Sequence, residues 1–583
     1  MLAVCSALNA ADEVNVVDPE NSIYYGASAS SESSFEDGLV LNIGTTKPNN
    51  DNPTASVVAV QSKDIAISNI SESGGVVDPS KNAVVVNMNG GALTSLKAVA
   101  GASNIYGGIK INVNGGLIQD SSSGVGAVIG SSNLATNAKV WGDVSINVGN
   151  SDGDPQPTVT GSILGFGMGT LYGNTNIVVN GGTISTSSSS KGIFAGANWN
   201  GVIEGDTNLT VKDGIISCIV AGGNANTKGG FPSSYATIRG STNVTIEGGS
   251  LYTVYSGSYA IGGVASLGGK IDGDANMKIS GGSMGVVYGG GGTVGGNVST
   301  EISGGEMDLV YAAYGNVDGT SKLHITGGSM NGIYGAYQGT TAGDVDIVIE
   351  KANISGNIVG ARAATAKGGG NVAVTFWGDA SGIVFGTDSE VIGRDTASAK
   401  SGCEISVIFG NSQKAFNGTF GAKISDFDLL SVAGGSDVVL EREISGVSAL
   451  SIKDSSVLSL SGGISASFDK ISISCGSILN VSGASLALND GGVLEIFLSD
   501  FSDDFLNLSE MIIFSNDDGK FWGGLTKDNV AIYDSAGTLW DDDWEFSSGA
   551  DGFGIIMNIP ESAGIALLFA SAAIAAVAAR KRR

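Results

Sequence analysis

Charge is scarce in this chain, and positive charge scarcer still. Only 15% of the 583 residues are charged, and 29 Lys and Arg stand against 56 Asp and Glu, a net charge of −27. Such a surface repels phosphate backbones, which argues against nucleic-acid binding. It suits an exported soluble protein or one that collects cations. Histidine is reduced to His324, which limits acid–base and metal chemistry. The four cysteines, Cys5, Cys218, Cys403 and Cys475, lie far apart with no CxxC pair, so neither a zinc site nor a disulfide framework follows. Proline numbers only 8, and glycine does not fall at every third position, which excludes collagen.

What the chain has instead is glycine, 92 residues. A glycine inside a helix costs about 1 kcal/mol relative to alanine, so a mainly helical protein is excluded. Hydrophobic residues make up 42%, too many for a disordered chain. An all-β protein remains, with glycine at turns and at close backbone approaches.

The glycines have positions. Gly-Gly-like doublets that follow an alternating apolar run begin at Gly90, Gly115, Gly149, Gly181, Asp213, Gly248, Gly281, Gly304, Gly327, Lys351 and Gly378, spaced 23 to 35 residues apart. The short spacings cluster near 23 and the long ones add about ten residues, as in a solenoid with loop insertions in some turns. Two residues before the doublet stand Val113, Val179, Val211, Ile246, Ile279, Ile302, Ile325 and Ile349. Four before stand Ile111, Ile177, Leu209, Val244, Met277, Leu323 and Ile347, with Thr300 breaking the series. Gly173, Gly205, Gly240, Gly273, Gly296, Gly319 and Gly343 mark a second turn eight residues before the doublet. Period-2 apolar runs are strands with one buried face. Coils wound around one core and stacked as parallel strands bury that face. The fold expected is an all-β parallel β-helix, with right-handed winding the default for parallel crossovers.

The pattern divides the chain. Residues 12–80 form an N-terminal β region or cap, 81–400 the repeat β-helix, and 401–489 looser coils with runs at 429–432, 456–460 and 478–481. Residues 490–559 form a C-terminal β cap, and 560–583 a hydrophobic helical tail. Small residues before Asp12 resemble the end of a secretory signal; an ordinary terminus is the alternative reading of residues 1–11. The tail carries Pro560-Glu561-Ser562, an apolar run over 563–579, and the basic cluster Arg580, Lys581, Arg582 and Arg583. The run just reaches the length of a membrane span, with the basic end cytoplasmic.

This three-part tail resembles the PEP-CTERM sorting signal of Gram-negative bacteria. Pro560 and Glu561 match the motif, and Ser562 replaces its second proline. The resemblance implies processing by an exosortase-type enzyme, passage through the inner membrane, and delivery to the cell surface or matrix. The body is similar to Gly-rich bacterial surface β-helix proteins and autotransporter passengers, in coils such as Gly-Gly-Ser-Met to Val-Tyr-Gly-Gly over residues 281–290. A fused membrane β-barrel is not expected, because the chain ends in an apolar helix.

Candidate site residues are few. Tyr255, Tyr288, Tyr311 and Tyr334 stand seven residues after their doublets, each preceded by Val254, Val287, Val310 or Ile333. In a regular strand only one of these columns faces the core, and the β-branched column fills it better. The tyrosines then form an exposed ladder for stacking on sugars; the alternative is that they pack on each other. Asp206, Asp272, Asp274, Asp318 and Asp344 lie in turns, and Asp541, Asp542 and Asp543 in the cap. Calcium needs six to eight oxygens and no calcium-loop motif is present, so they read as solvated carboxylates. Asn176, Asn208, Asn243 and Asn276 recur five before the doublet as an Asn ladder or turn. His324 falls in an outward column with Thr245, Lys278 and Glu301. Arg239, Arg362 and Arg394 are isolated in sequence. No nucleophile elbow, phosphate loop or metal-ligand spacing appears. The expected function is a non-catalytic, exported, structural or adhesive surface protein without a cofactor. The alternative is a polysaccharide-binding or polysaccharide-cleaving β-helix.

Overall fold

The computed structural model describes residues 82–497 with interruptions, the longest at 98–103, 120–127, 130–138, 151–155, 185–191, 226–235, 261–268, 363–369 and 396–401. Outside that range it describes short strands and turns at 12–16, 23–25, 39–43, 57–60, 64–66, 514–515, 527–533, 537–539, 544–549 and 552–557. The protein is a parallel β-helix. It divides into two compact units: residues 1–330 with 336–345 and 365–370, and residues 331–335, 346–364 and 371–583.

In the first unit, the alternating apolar runs form one wall. Strands Gly108–Val113, Val144–Val148, Thr175–Val179, Thr207–Val211, Thr242–Ile246, Ala275–Ile279, Val298–Ile302 and Ser321–Ile325 pair parallel, each with the next. Upstream, Asp12–Val16, Leu39–Ile43 and Asn82–Met88 continue the same ladder, so strands within 12–80 are further coils of this wall. Inward positions are fully buried, as with Ile177, Val179, Leu209 and Val211. One reading needs correcting. Val113 pairs with Val148 and Val148 with Val179, so Asn150, not Gly149, aligns with Gly115 and Gly181. The inward residues Val144, Ile146 and Val148 set the register, and a one-residue slip would turn them outward.

Two further walls complete each coil. Leu117–Ile118, Thr158–Val159, Thr183–Ile184, Ile215–Val220 and Ser250–Tyr255 stack in one. Lys139–Trp141, Thr170–Leu171, Val202–Ile203, Thr237–Ile238 and Lys270–Ile271 stack in the other. The short coils merge both walls into single strands, Ser283–Val294 and Glu306–Val317. The ten extra residues of the long coils therefore fall between these walls. The buried hydroxyls of Thr175, Thr207 and Thr242 donate across the interior to the carbonyls of Ala195, Ala221 and Ser256 at 2.7, 2.8 and 2.6 Å. These bonds satisfy polar groups that would otherwise be costly to bury.

The second unit uses shorter coils. Val372–Phe376, Ile405–Phe409, Leu429–Val432, Ala449–Ile452, Ser465–Ser474 and Ser485–Phe497 pair parallel in series. Phe416–Phe420, Asp437–Leu440, Val457–Leu460 and Ile478–Asn480 form another wall. The runs at 429–432, 456–460 and 478–481 thus belong to two walls rather than one series. Phe376, Phe409, Phe416 and Phe420 fill the core with ring centroids 4.7 to 6.3 Å apart. Near the end, Trp544–Gly549 pairs antiparallel with Gly552–Met557, within the expected cap. No helix among the described residues is long and apolar enough to cross a membrane. The expected signal remnant at 1–11 and the tail at 560–583 lie outside the described residues.

Candidate functional site

The coil corners come first, because they decide which polar groups remain for chemistry. Eight residues before the doublet, each glycine is followed by an acceptor side chain. The N–H of Asn174 donates to Asp143 at 2.8 Å, that of Asp206 to Asn174 at 2.8 Å, and that of Ser241 to Asp206 at 2.7 Å. The series continues from Asp274 to Ser241 at 3.1 Å, Asn297 to Asp274 at 2.7 Å, and Thr320 to Asn297 at 3.0 Å. The glycines make room for it: a Cβ on Gly319 would lie 2.5 Å from Asn297 Oδ1, and one on Gly240 would strike Asp206 Oδ1. Asp206 and Asp274 are thus turn carboxylates, partly exposed, that also accept the corner N–H of the next coil. Among the described residues, no group of three or more His, Cys, Asp or Glu is placed to hold a metal ion. Asp541, Asp542 and Asp543 lie outside the described residues.

The Asn column is a ladder. Asn208 donates to Asn176 at 2.9 Å, Asn243 to Asn208 at 2.9 Å, and Asn276 to Asn243 at 3.1 Å. A second one, not anticipated from the doublets, runs from Asn147 to Asn112 at 2.8 Å and Asn112 to Asn87 at 2.7 Å. His324 aligns with Glu301, Glu301 with Lys278, and Lys278 with Thr245, which is the outward column expected.

The tyrosines depart from the exposed ladder. Tyr255 and Tyr311 are buried, and so are the neighbouring Val254 and Val310. Tyr255 stacks on Tyr288 at 4.5 Å and Tyr288 on Tyr311 at 4.9 Å. Both columns are enclosed because a second tyrosine layer leans over the first: Tyr314 lies 4.5 Å from Tyr288, and Tyr337 4.6 Å from Tyr311. Beside the stack Gly291 has φ +129°, and a Cβ there would strike the Ser258 carbonyl oxygen at 2.5 Å. Upstream the same column is aliphatic or aromatic, with Leu164, Phe194 and Val220. These rings form an outer core, packed as the alternative reading described. Tyr334, in the second unit, lies beneath the Arg362 guanidinium at 5.1 Å.

Exposed aromatic surface lies elsewhere, at Tyr252 and Tyr172. Trp141 and Tyr172 occupy neighbouring coils on the third wall of the first unit, stacked at 5.3 Å and 12°. Tyr172 keeps 46% of its surface exposed, and the Lys139 ammonium stands 5.9 Å from the Trp141 ring. Following coils carry Glu204, Arg239 and Asp272 next to the paired positions Ile203, Ile238 and Ile271. Arg239 bridges Glu204 at 3.5 Å and Asp272 at 3.1 Å, and Lys270 holds Asp272 at 2.6 Å. The fold thus brings together charges that the sequence leaves apart. The Lys270 hydrogen bond, with Arg239 beside it, holds the Asp272 carboxyl below the usual carboxylate range. That keeps it ionised at neutral pH, the reverse of a general acid. The signal for this strip was the residue just before each second-turn glycine: Tyr172 before Gly173, Glu204 before Gly205, Arg239 before Gly240 and Asp272 before Gly273.

In the second unit Arg362 pairs with Asp395 at 3.2 Å, and Arg394 with Asp428 at 2.7 Å while donating to the Cys403 carbonyl. Both arginines tie coils together. Burial pushes the Cys218 thiol up to about 12, which removes its nucleophilicity at neutral pH. Pro560, Glu561, Arg580, Lys581, Arg582 and Arg583 lie outside the described residues. Comparison with protein-family models, with curated proteins and with solved structures finds no match.

Proposed function

We propose that this chain is an exported, non-catalytic structural or adhesive protein of the cell surface or extracellular matrix. The observation that carries the reading is the use of the recurring polar side chains. The Asn ladder and the corner acceptors bind neighbouring coils of the first unit, the buried threonines tie opposite walls of one coil, and what they produce is a surface repeated from coil to coil. A repeated surface acts through many weak contacts, each multiplied by its neighbours. The C-terminal tail, with its PEP-CTERM-like Pro560-Glu561, supplies the route. An exosortase-type enzyme would process it after passage through the inner membrane.

Mass spectrometry of the mature termini in fractionated cells tests this. The reading expects a surface or matrix form that lacks Arg583. Intact Arg583 confined to the inner membrane would contradict it. The second reading, a polysaccharide-binding protein, is favoured by Tyr172, nearly half exposed and stacked on the half-buried Trp141. Depolymerisation of acidic glycans by the purified protein would replace both with the enzyme reading.

A further inference from the structure

From the third wall of the first unit we infer that a neutral linear polysaccharide binds along the strip from Trp141 to Asp272. This deepens the polysaccharide-binding reading above by naming the surface and the class of glycan. Trp141, Tyr172, Glu204, Arg239 and Asp272 occupy one column on five successive coils, linked by the pairing of Val140 with Leu171, Leu171 with Ile203, Ile203 with Ile238, and Ile238 with Ile271. At about 4.8 Å per parallel strand the column runs about 19 Å, room for several sugar rings laid along the coil axis.

The strip is amphipathic in the way a sugar chain is. Its aromatic end offers apolar ring surface to the C–H groups of a pyranose at Tyr172, which gives one face to Trp141 and is still nearly half exposed. Its other end offers fixed polar groups. A guanidinium has five donors and a carboxylate about four acceptor sites, so Arg239, Glu204 and Asp272 keep hydrogen-bonding capacity beyond their mutual ion pairs. Hydroxyls both donate and accept, and can use both kinds of group at once. Ion pairing also holds these side chains in place, which reduces the entropy lost when a ligand orders them.

Charge selects a neutral glycan. The cations Arg239 and Lys270 are matched by Glu204 and Asp272 within the strip. Lys139 stands apart from these cations, over the Trp141 ring, so no positive cluster awaits a polyanion among the described residues of the strip, and the net charge of −27 repels one at long range.

The test uses the full chain in detergent micelles, titrated calorimetrically with cellohexaose, maltohexaose and chitohexaose. At least one hexasaccharide should bind, with Kd raised at least about tenfold by Trp141→Ala and by Tyr172→Ala, and by a smaller factor in Arg239→Gln. Tyr172→Ala removes an exposed side chain and keeps the test open should Trp141→Ala fail to fold. Tyr288→Phe, in the buried stack, should leave Kd unchanged. No binding of any hexasaccharide at millimolar concentration overturns the inference, as does binding that the Tyr172 variant leaves intact. Either failure leaves surface delivery untouched, because delivery is read from the mature termini in cells.

Discussion

In the first unit, coil corners are glycines beside acceptor side chains, and the core is mainly aliphatic, with Phe166 and Phe194 buried in it and a tyrosine stack outside it. In the second unit the coils shorten to about 20 residues, as Ala449 to Lys470 and Asp437 to Val457 pairings show. Its corners include Asp426, Asp454 and Ser455 at φ near +60°, and phenylalanines fill its core. The lesson is that the same winding can be held by two means. Where polar ladders bind coil to coil, side chains on the corner are excluded sterically. In the second unit some corners, such as Asp454 and Ser455, need only the left-handed conformation, which Asp and Ser adopt at modest cost, while others, such as Gly434 against the Asn411 carbonyl, also exclude a side chain sterically.

The largest expected effect breaks the second unit. Phe420→Ala should cost about 4 kcal/mol, since the rings of Phe376, Phe385, Phe409 and Phe416 lose a shared neighbour and a cavity remains. Hydrogen exchange read peptide by peptide should show the loss in residues 371–497 first. A glycine pair comes next and sharpens the contrast directly. Gly240→Ala should cost about 3 kcal/mol, because its Cβ would displace the Asp206 carboxylate and press on the Gly205 carbonyl. Gly463→Ala, at φ +89° with nothing within 4 Å, should cost about 1 kcal/mol from backbone strain alone. Equal costs would dissolve the distinction between steric and conformational corners.

Thr300 gives a smaller effect of opposite sign. It is buried between Met277 and Leu323 in the inward column, and its hydroxyl has no hydrogen-bond partner. Thr300→Val should stabilise the first unit by about 1 kcal/mol, measured by urea unfolding. The smallest effect concerns pH. The lowered Asp272 pKa means a contribution present above the ordinary carboxylate pKa of about 4 and lost as pH falls through the folded-state value. Asp272→Asn should therefore be less stable than the parent at neutral pH, and the two should converge below that window.

The parallel coil, its inward columns and the Asn ladder were legible because each coil of the first unit repeats the same inward residues at the same distance from a glycine. The slip at Gly149 shows the limit: glycine marks the corner only loosely, while Val144, Ile146 and Val148 fix the register. That the tyrosines pack on each other was one of the two readings, but their burial was not legible, because period-2 logic gives a strand one buried face. It does not see Tyr314 and Tyr337 closing over the other. The 20-residue coils were obscured where Asp426 and Asp454 replace corner glycines. The Trp141 to Asp272 strip escaped notice because its members share a column, not a residue type.

The central claim, coils stacked in parallel register, is tested most directly by paired cysteines on the Asn ladder. Asn208 and Asn243 are Cα partners on adjacent strands, and Asn276 lies one coil further. Adjacent parallel strands are about 4.8 Å apart and a disulfide reaches Cα separations up to about 7 Å. Oxidation of the folded chain, mapped by mass spectrometry, should join the pair Asn208→Cys and Asn243→Cys, and leave Asn208→Cys and Asn276→Cys unjoined. A crosslink in the second pair, or none in the first while the chain remains folded, would contradict the register and the β-helix built on it.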